Sequence, residues 1–236
     1  CQKFTTPQEN PEQKIKSLLF SQERFAEALA ESEKSLQNNI NDATILYLRG
    51  MAHLALKNYD SALNDFAASM KADPENALSY NGIGNVFYLK YEDLLAEKFW
   101  SRGLSLAKTP STRALFLGNL SLLALNAKKY SDAIKLLEEA IGISRDGRFF
   151  NLLGRVYYLM NKTDKAKEIW LSALHDQTLP WAQHNFKHNT CHRLAELYDS
   201  KKDHYEALKY AELALELSPT TIEYQKTYVK LKEQIK

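Results

Sequence analysis

Glycine and proline are scarce in this sequence, 8 and 6 in 236 residues. With charged residues at 25% and Ala, Leu, Lys and Glu abundant, that scarcity points to helix. Charge of one sign is not in excess either. A formal net charge of +2 gives no field for a basic face, so no nucleic acid is expected as a partner. Long apolar runs are missing: the longest apolar-looking stretch, Ala114 to Leu125, contains Asn119 and is too short to span a bilayer. Cysteine occurs only as Cys1 and Cys191. Cys191, alone on the apolar side of a helix, reads as a small core residue. No P-loop, HExxH, paired CxxC or nucleophile elbow occurs. Asn81-Gly82-Ile83-Gly84 is not a dinucleotide loop, because no strand precedes it and no third glycine follows. Neither catalysis, a cofactor nor a small-molecule substrate is expected.

What is present is a repeat. A small residue recurs at Ala28, Ala62, Ala96, Ala133, Ala166 and Ala207, with successive spacings of 34, 34, 37, 33 and 41. A large residue follows four positions later at Phe66, Trp100, Leu137 and Trp170. A second small residue follows at seven, as Ser35, Ser69, Gly103, Ala140, Ala173 and Ala214. The segment Leu46-Tyr47-Leu48-Arg49-Gly50, then Tyr59-Asp60-Ser61-Ala62-Leu63, Phe66, Ser69 and Pro74, resembles a tetratricopeptide repeat almost position for position. Each repeat is a pair of antiparallel helices, A and B. Gly50, Gly84 and Gly154 are placed where A crosses B, and the bulky residue fills the gap to the next repeat. No repeat can bury its apolar face alone, so stacking supplies the core. The expected fold is all-α, a right-handed superhelical solenoid of about six tetratricopeptide repeats. They occupy 12–219, as 9–42, 43–76, 77–113, 114–146, 147–187 and 188–219. An amphipathic, Lys-rich helix over 220–236 suits the polar cap of the open end.

The first eleven residues read as a tether. Cys1, followed by the polar, Pro-containing run Gln2 to Pro11, resembles the mature start of a bacterial lipoprotein, whose first cysteine carries the acyl chains. Gln2 in place of Asp resembles the outer-membrane sorting pattern. The expected location is the periplasmic face of the outer membrane of a Gram-negative bacterium, with the membrane itself a partner through the lipid.

In tetratricopeptide proteins a concave groove is lined by fixed positions of each helix A. Those positions here hold Ser17, Phe20, Tyr47, Met51 and Leu54, then Asn81, Asn85 and Tyr88. Asn119 follows beside Leu115, Leu122 and Leu125, and then Arg148, Asn151, Arg155 and Tyr158. Asn amides on such a wall pair with the N–H and C=O groups of an extended peptide, while the apolar end takes an amphipathic strand or helix. The two-carboxylate clamp of co-chaperone relatives is incomplete. Asn85, Asn119 and Arg148 match it, but Asn81 and Leu152 replace its other basic residues. His184, His188 and His192 are spaced i, i+4, i+8 with Cys191 nearby. No matching carboxylate or motif accompanies them in sequence, so they are weak metal candidates and no metal is expected.

Six repeats behind a lipid cysteine, with a capping helix, resemble the pilotin lipoproteins of type IV pilus secretins. The three-residue excess between Ala96 and Ala133, the Arg113 … Asn119-Leu120 helix and the segments Arg193-Leu194-Ala195 and Pro219 to Gln225 carry that resemblance. It implies a scaffold that binds secretin subunits through its groove, at the N-terminal repeats, and assists their outer-membrane targeting and assembly. Two other readings stay open: a repeat lipoprotein adaptor for another envelope enzyme or secretion complex, and a cytosolic protein–protein adaptor if Cys1 carries no lipid.

Overall fold

The computed structural model describes residues 10–21, 24–176, 178–179 and 185–235. Among them are thirteen helices and no strand. The chain divides into two compact units, residues 1–116 and 117–236. The first holds α1 (Pro11–Phe20), α2 (Phe25–Leu36), α3 (Ala43–Ala55), α4 (Tyr59–Ala72), α5 (Ala77–Leu89) and α6 (Asp93–Leu106). The division falls within α7 (Pro110–Asn126). The second unit continues with α8 (Tyr130–Ile143), α9 (Gly147–Leu159), α10 (Thr163–His175), α11 (Asn185–Ser200), α12 (His204–Leu217) and α13 (Ile222–Gln234). From α1 to α6 and again from α8 to α13, each helix packs on its chain neighbour, and helices A also meet: α1 on α3, α3 on α5, α9 on α11.

Several expected boundaries shift. Asn10 caps α1 by accepting the Glu12 N–H, and Pro11 occupies the first turn, so the helix begins inside the expected tether. Cys1 and the rest of the run up to residue 9 lie outside the described residues. The excess before Ala133 lengthens α7, which has 17 residues where α3, α5 and α9 have 13. Helix A of the last repeat starts at Asn185, ahead of the expected 188, and the capping helix is α13, within the expected 220–236.

Most helices A begin on an Asx cap: Asp42 accepts from the Thr44 and Ile45 N–H groups, Asn76 from Leu78 and Asp146 from Arg148. Five of them end in a left-handed residue that is not glycine, at Lys57, Tyr91, Lys128, Asn161 and Lys202, with φ between 57° and 62°. At each, the following N–H closes back on the helix, as from Asn58 to the His53 carbonyl at 2.8 Å and from Lys129 to Ala124 at 2.8 Å. This turn delivers the chain directly into helix B.

The core follows the repeat. Ala28, Ala62, Ala96, Ala133, Ala166 and Ala207 are fully buried. A Cβ on Gly50 would lie 2.6 Å from the Phe66 ring, one on Gly84 2.4 Å from Trp100, and one on Gly154 2.1 Å from Trp170. Close approach of A to B therefore requires glycine under the aromatic ring. The terminal repeats use another solution: their large-residue positions hold Ser32 and Ala211, both buried. Ser32 satisfies its hydroxyl by donating to the Ala28 carbonyl at 2.7 Å.

Candidate functional site

In the first unit the helix-A face is apolar and only half covered. Phe20, at the end of α1, is 39% exposed. Ser17 on the same helix is half-buried. On α3, Met51 packs between the two core clusters of this unit, and Leu54 rests on the second. Tyr47 lies tilted on Phe66, ring centroids 5.7 Å apart, and burial pushes its hydroxyl up to about 12. The stripe thus stabilises the fold with one side and presents apolar surface with the other. On α5, Tyr88 is tilted on Trp100 at 5.5 Å, and Asn85 accepts the Trp100 indole N–H at 3.2 Å. Asn81, expected on the groove wall, is buried at 5% exposure.

Between α3 and α4 lies an ion pair that sequence reasoning missed. Asp65 on α4 is buried and takes Nε and Nη2 of Arg49 at 2.8 and 2.5 Å, and this hydrogen-bonded carboxylate raises the Arg49 guanidinium. His53 stands beside it, Nε2 3.8 Å from Asp65, as a packing histidine. The spacing of 16 between Arg49 and Asp65 gave no local signal; only the A–B pairing brings them together.

In the second unit the expected polar stripe is largely committed to the fold. Asn151 is buried, donating its amide to Thr190 Oγ1 on α11 at 2.7 Å, so it ties two helices instead of facing a peptide. Arg148 folds back on the α9 cap, Nε 3.0 Å from Asp146 Oδ2, and lies 5.7 Å over the Phe149 ring. Its charge is met locally, which further weakens carboxylate capture. Arg155 is exposed, and Tyr158 lies half-buried on Trp170 at 6.0 Å. Asn119, on the α7 part of this unit, is half-buried.

Of the three histidines, His184 lies outside the described residues. His188 and His192 do share a face of α11, and both rings rest on Tyr224 of α13, at 5.3 and 4.6 Å. His188 Nδ1 is 2.7 Å from the Tyr224 hydroxyl, which in turn donates to Asn189 Oδ1 at 2.8 Å. Since that hydroxyl's one proton goes to Asn189, His188 carries its proton on Nδ1. Burial lowers the His188 pKa, and the neighbouring His192 adds to it. Cys191 is fully buried in the α11–α13 core, as expected of a packing residue, and burial pushes its thiol up to about 12. A carboxylate pair does accompany His192: Glu196 one turn on, and Glu223 from α13. Glu196, four residues on, was already within reach of the helical spacing and was overlooked, whereas Glu223 is distant in sequence and gives no local signal.

The tetratricopeptide-repeat models match residues 43–76 and 188–221. A comparison with curated protein sequences gives no match. Among solved structures, Pseudomonas aeruginosa PilF is similar over 93% of this chain and 96% of its own, at 16% identity and a TM-score of 0.66. A tetratricopeptide repeat protein from Parabacteroides merdae is similar over 94% of this chain and 82% of that one, at 16% identity and a TM-score of 0.73. MamA is similar over 72% of this chain and 95% of its own, at 19% identity and a TM-score of 0.53. At such identities the likeness shows the fold: an all-helical tetratricopeptide-repeat solenoid. The chain thus carries tetratricopeptide repeats at these two segments within that fold, and such repeats are a protein–protein interaction scaffold.

Proposed function

We propose that this scaffold is a pilotin-like lipoprotein that takes a segment of a secretin subunit on the helix-A face of its first unit and assists secretin assembly in the outer membrane. The observation that carries the reading is the half-covered apolar stripe of Phe20, Tyr47, Met51 and Leu54 on the adjacent helices α1 and α3. An amphipathic strand or helix is the ligand such a stripe suits, and Met51 is the adaptable residue that tolerates different apolar side chains. The similarity in fold to PilF along nearly the whole chain and the pilotin-like segments read in the sequence support the choice of client. The role is binding, without catalysis. Cys1 is the proposed lipid attachment point, on the periplasmic face of the outer membrane. A lipid there raises the effective concentration of the face near its client.

The test is binding of the purified secretin from the same organism to the purified chain, with Phe20→Ser and Met51→Gln combined. Tyr47 is left intact because it supports Phe66. The double variant is expected to keep its helical circular dichroism and lose at least about tenfold in affinity, the equivalent of about 1.4 kcal/mol. Unchanged affinity would remove this face from the reading. Recovery of a different envelope client, with no secretin, would favour the adaptor alternative. Mass spectrometry of the N-terminus in the native host tests the lipid.

A further inference from the structure

The buried imidazole of His192 has an unusual environment. It is 2% exposed, and neither ring nitrogen has a hydrogen-bond partner. A buried, unpaired polar atom costs about 1–3 kcal/mol, so a native protein tends to supply a partner. Nε2 is aimed at two carboxylate oxygens, Glu196 Oε1 at 3.6 Å and Glu223 Oε1 at 3.5 Å. These separations exceed the roughly 2.7–2.9 Å of a charge-assisted hydrogen bond. They are close to the edge, about 3.3–3.4 Å, of a tetrahedron with metal–ligand bonds of about 2.0–2.1 Å. The three ligand atoms all lie within 4.8 Å of one another.

We propose that His192, Glu196 and Glu223 form a divalent metal site of zinc type, linking the last repeat to the capping helix. His192 and Glu196 stand one turn apart on α11, while Glu223 comes from the first turn of α13. The outer oxygen of Glu196 is held by Arg193 Nη1 at 2.7 Å, which orients Oε1 toward the site as an outer-shell partner does in metal centres. A neutral imidazole with two carboxylates offers one nitrogen and two oxygens with a charge of −2. That mixed donor set suits Zn2+ better than Mg2+ or Ca2+, which favour all-oxygen shells of higher coordination number. Glu223 is 68% exposed on its side chain, so a water completes the fourth position from the solvent side. His188 stands outside the group of ligand atoms that lie within 4.8 Å of one another, and its Nδ1 faces Tyr224.

The experiment is isothermal titration of the chelator-treated full chain with zinc chloride, with thermal unfolding measured in parallel. One equivalent is expected to bind and to raise the unfolding temperature. Cobalt(II) at the same site should give the visible absorption of a four-coordinate ion. Glu223→Gln alters an exposed side chain, so it should fold as the parent does, bind zinc at least about tenfold more weakly and lose the thermal shift. His188→Gln should bind as the parent does. The proposal is overturned if the parent takes up no stoichiometric zinc, if Glu223→Gln binds unchanged, or if loss of binding tracks His188 instead. In those cases His192 simply pairs its proton with the two carboxylates.

Discussion

Trp100 in the first unit and Trp170 in the second occupy the same position of their repeats, four residues after the recurring alanine, and both are buried over a helix-A glycine. Each also carries a tyrosine from helix A on its face, Tyr88 and Tyr158. They part where the indole N–H goes. Trp100 donates to the side chain of Asn85 at 3.2 Å, while Trp170 donates to the backbone carbonyl of Asn151 at 3.1 Å. The Asn151 amide is thereby left for Thr190 on the next helix A. One packing rule therefore has two polar solutions. Which neighbour satisfies the buried donor decides what a groove-position asparagine can do.

The comparison is broken most severely at the rings themselves. Trp100→Ala and Trp170→Ala are each expected to cost about 3–5 kcal/mol in urea unfolding, since both empty the centre of a repeat. Gly84→Ala and Gly154→Ala should each cost up to about 3 kcal/mol, because the added methyl meets a rigid indole. In a double-mutant cycle that cost should fall away once the facing tryptophan is alanine. An undiminished cost would show that glycine is needed there for some other reason.

Next in size is the polar difference. Asn85→Ala leaves the buried Trp100 N–H unpaired and is expected to cost about 2 kcal/mol. In Asn151→Ala the Trp170 bond survives, because its acceptor is backbone. Thr190 also keeps the Phe186 carbonyl at 2.9 Å, so the loss should be nearer 1 kcal/mol. Equal losses would mean that the two environments are energetically alike.

A feature shared by both units should respond equally in both. Lys57→Gly and Lys128→Gly relieve a left-handed residue at the A–B turn, and each should stabilise by about 0.5–1 kcal/mol. The smallest effect is silent at neutral pH. Tyr47 has its hydroxyl raised from 10.0 to about 12 by burial, so the unfolded chain releases that proton first. Its contribution is fully present below pH 10 and is lost as the pH rises toward 12. Tyr47→Phe should flatten the alkaline fall in stability over that window.

Much of the molecule was legible because its signals are local. The recurring alanines and the glycine–aromatic pairs depend on two helices joined by a short turn, and Asp42, Asn76 and Asp146 announce their helices within three residues. The A–B turns were harder to read, since the left-handed residue is Lys, Tyr or Asn where glycine would have been the signal. The asparagine stripe was read too generously. Position within helix A places Asn81, Asn85 and Asn151 on one face, but burial and the nearest unpaired donor decide whether an amide remains for a ligand.

The sequence by itself determined the repeat, its period, the crossing glycines and the apolar face of α1 and α3, because stacking of near-identical hairpins follows from side-chain size at a fixed spacing. Tertiary structure alone decided three things: the Arg49–Asp65 pair, the loss of Asn151 to Thr190, and the meeting of His192 with Glu223 across 31 residues. Charge and hydrogen bonding act over a few ångströms. Such partners are chosen by how the helices pack, which no periodicity along the chain encodes.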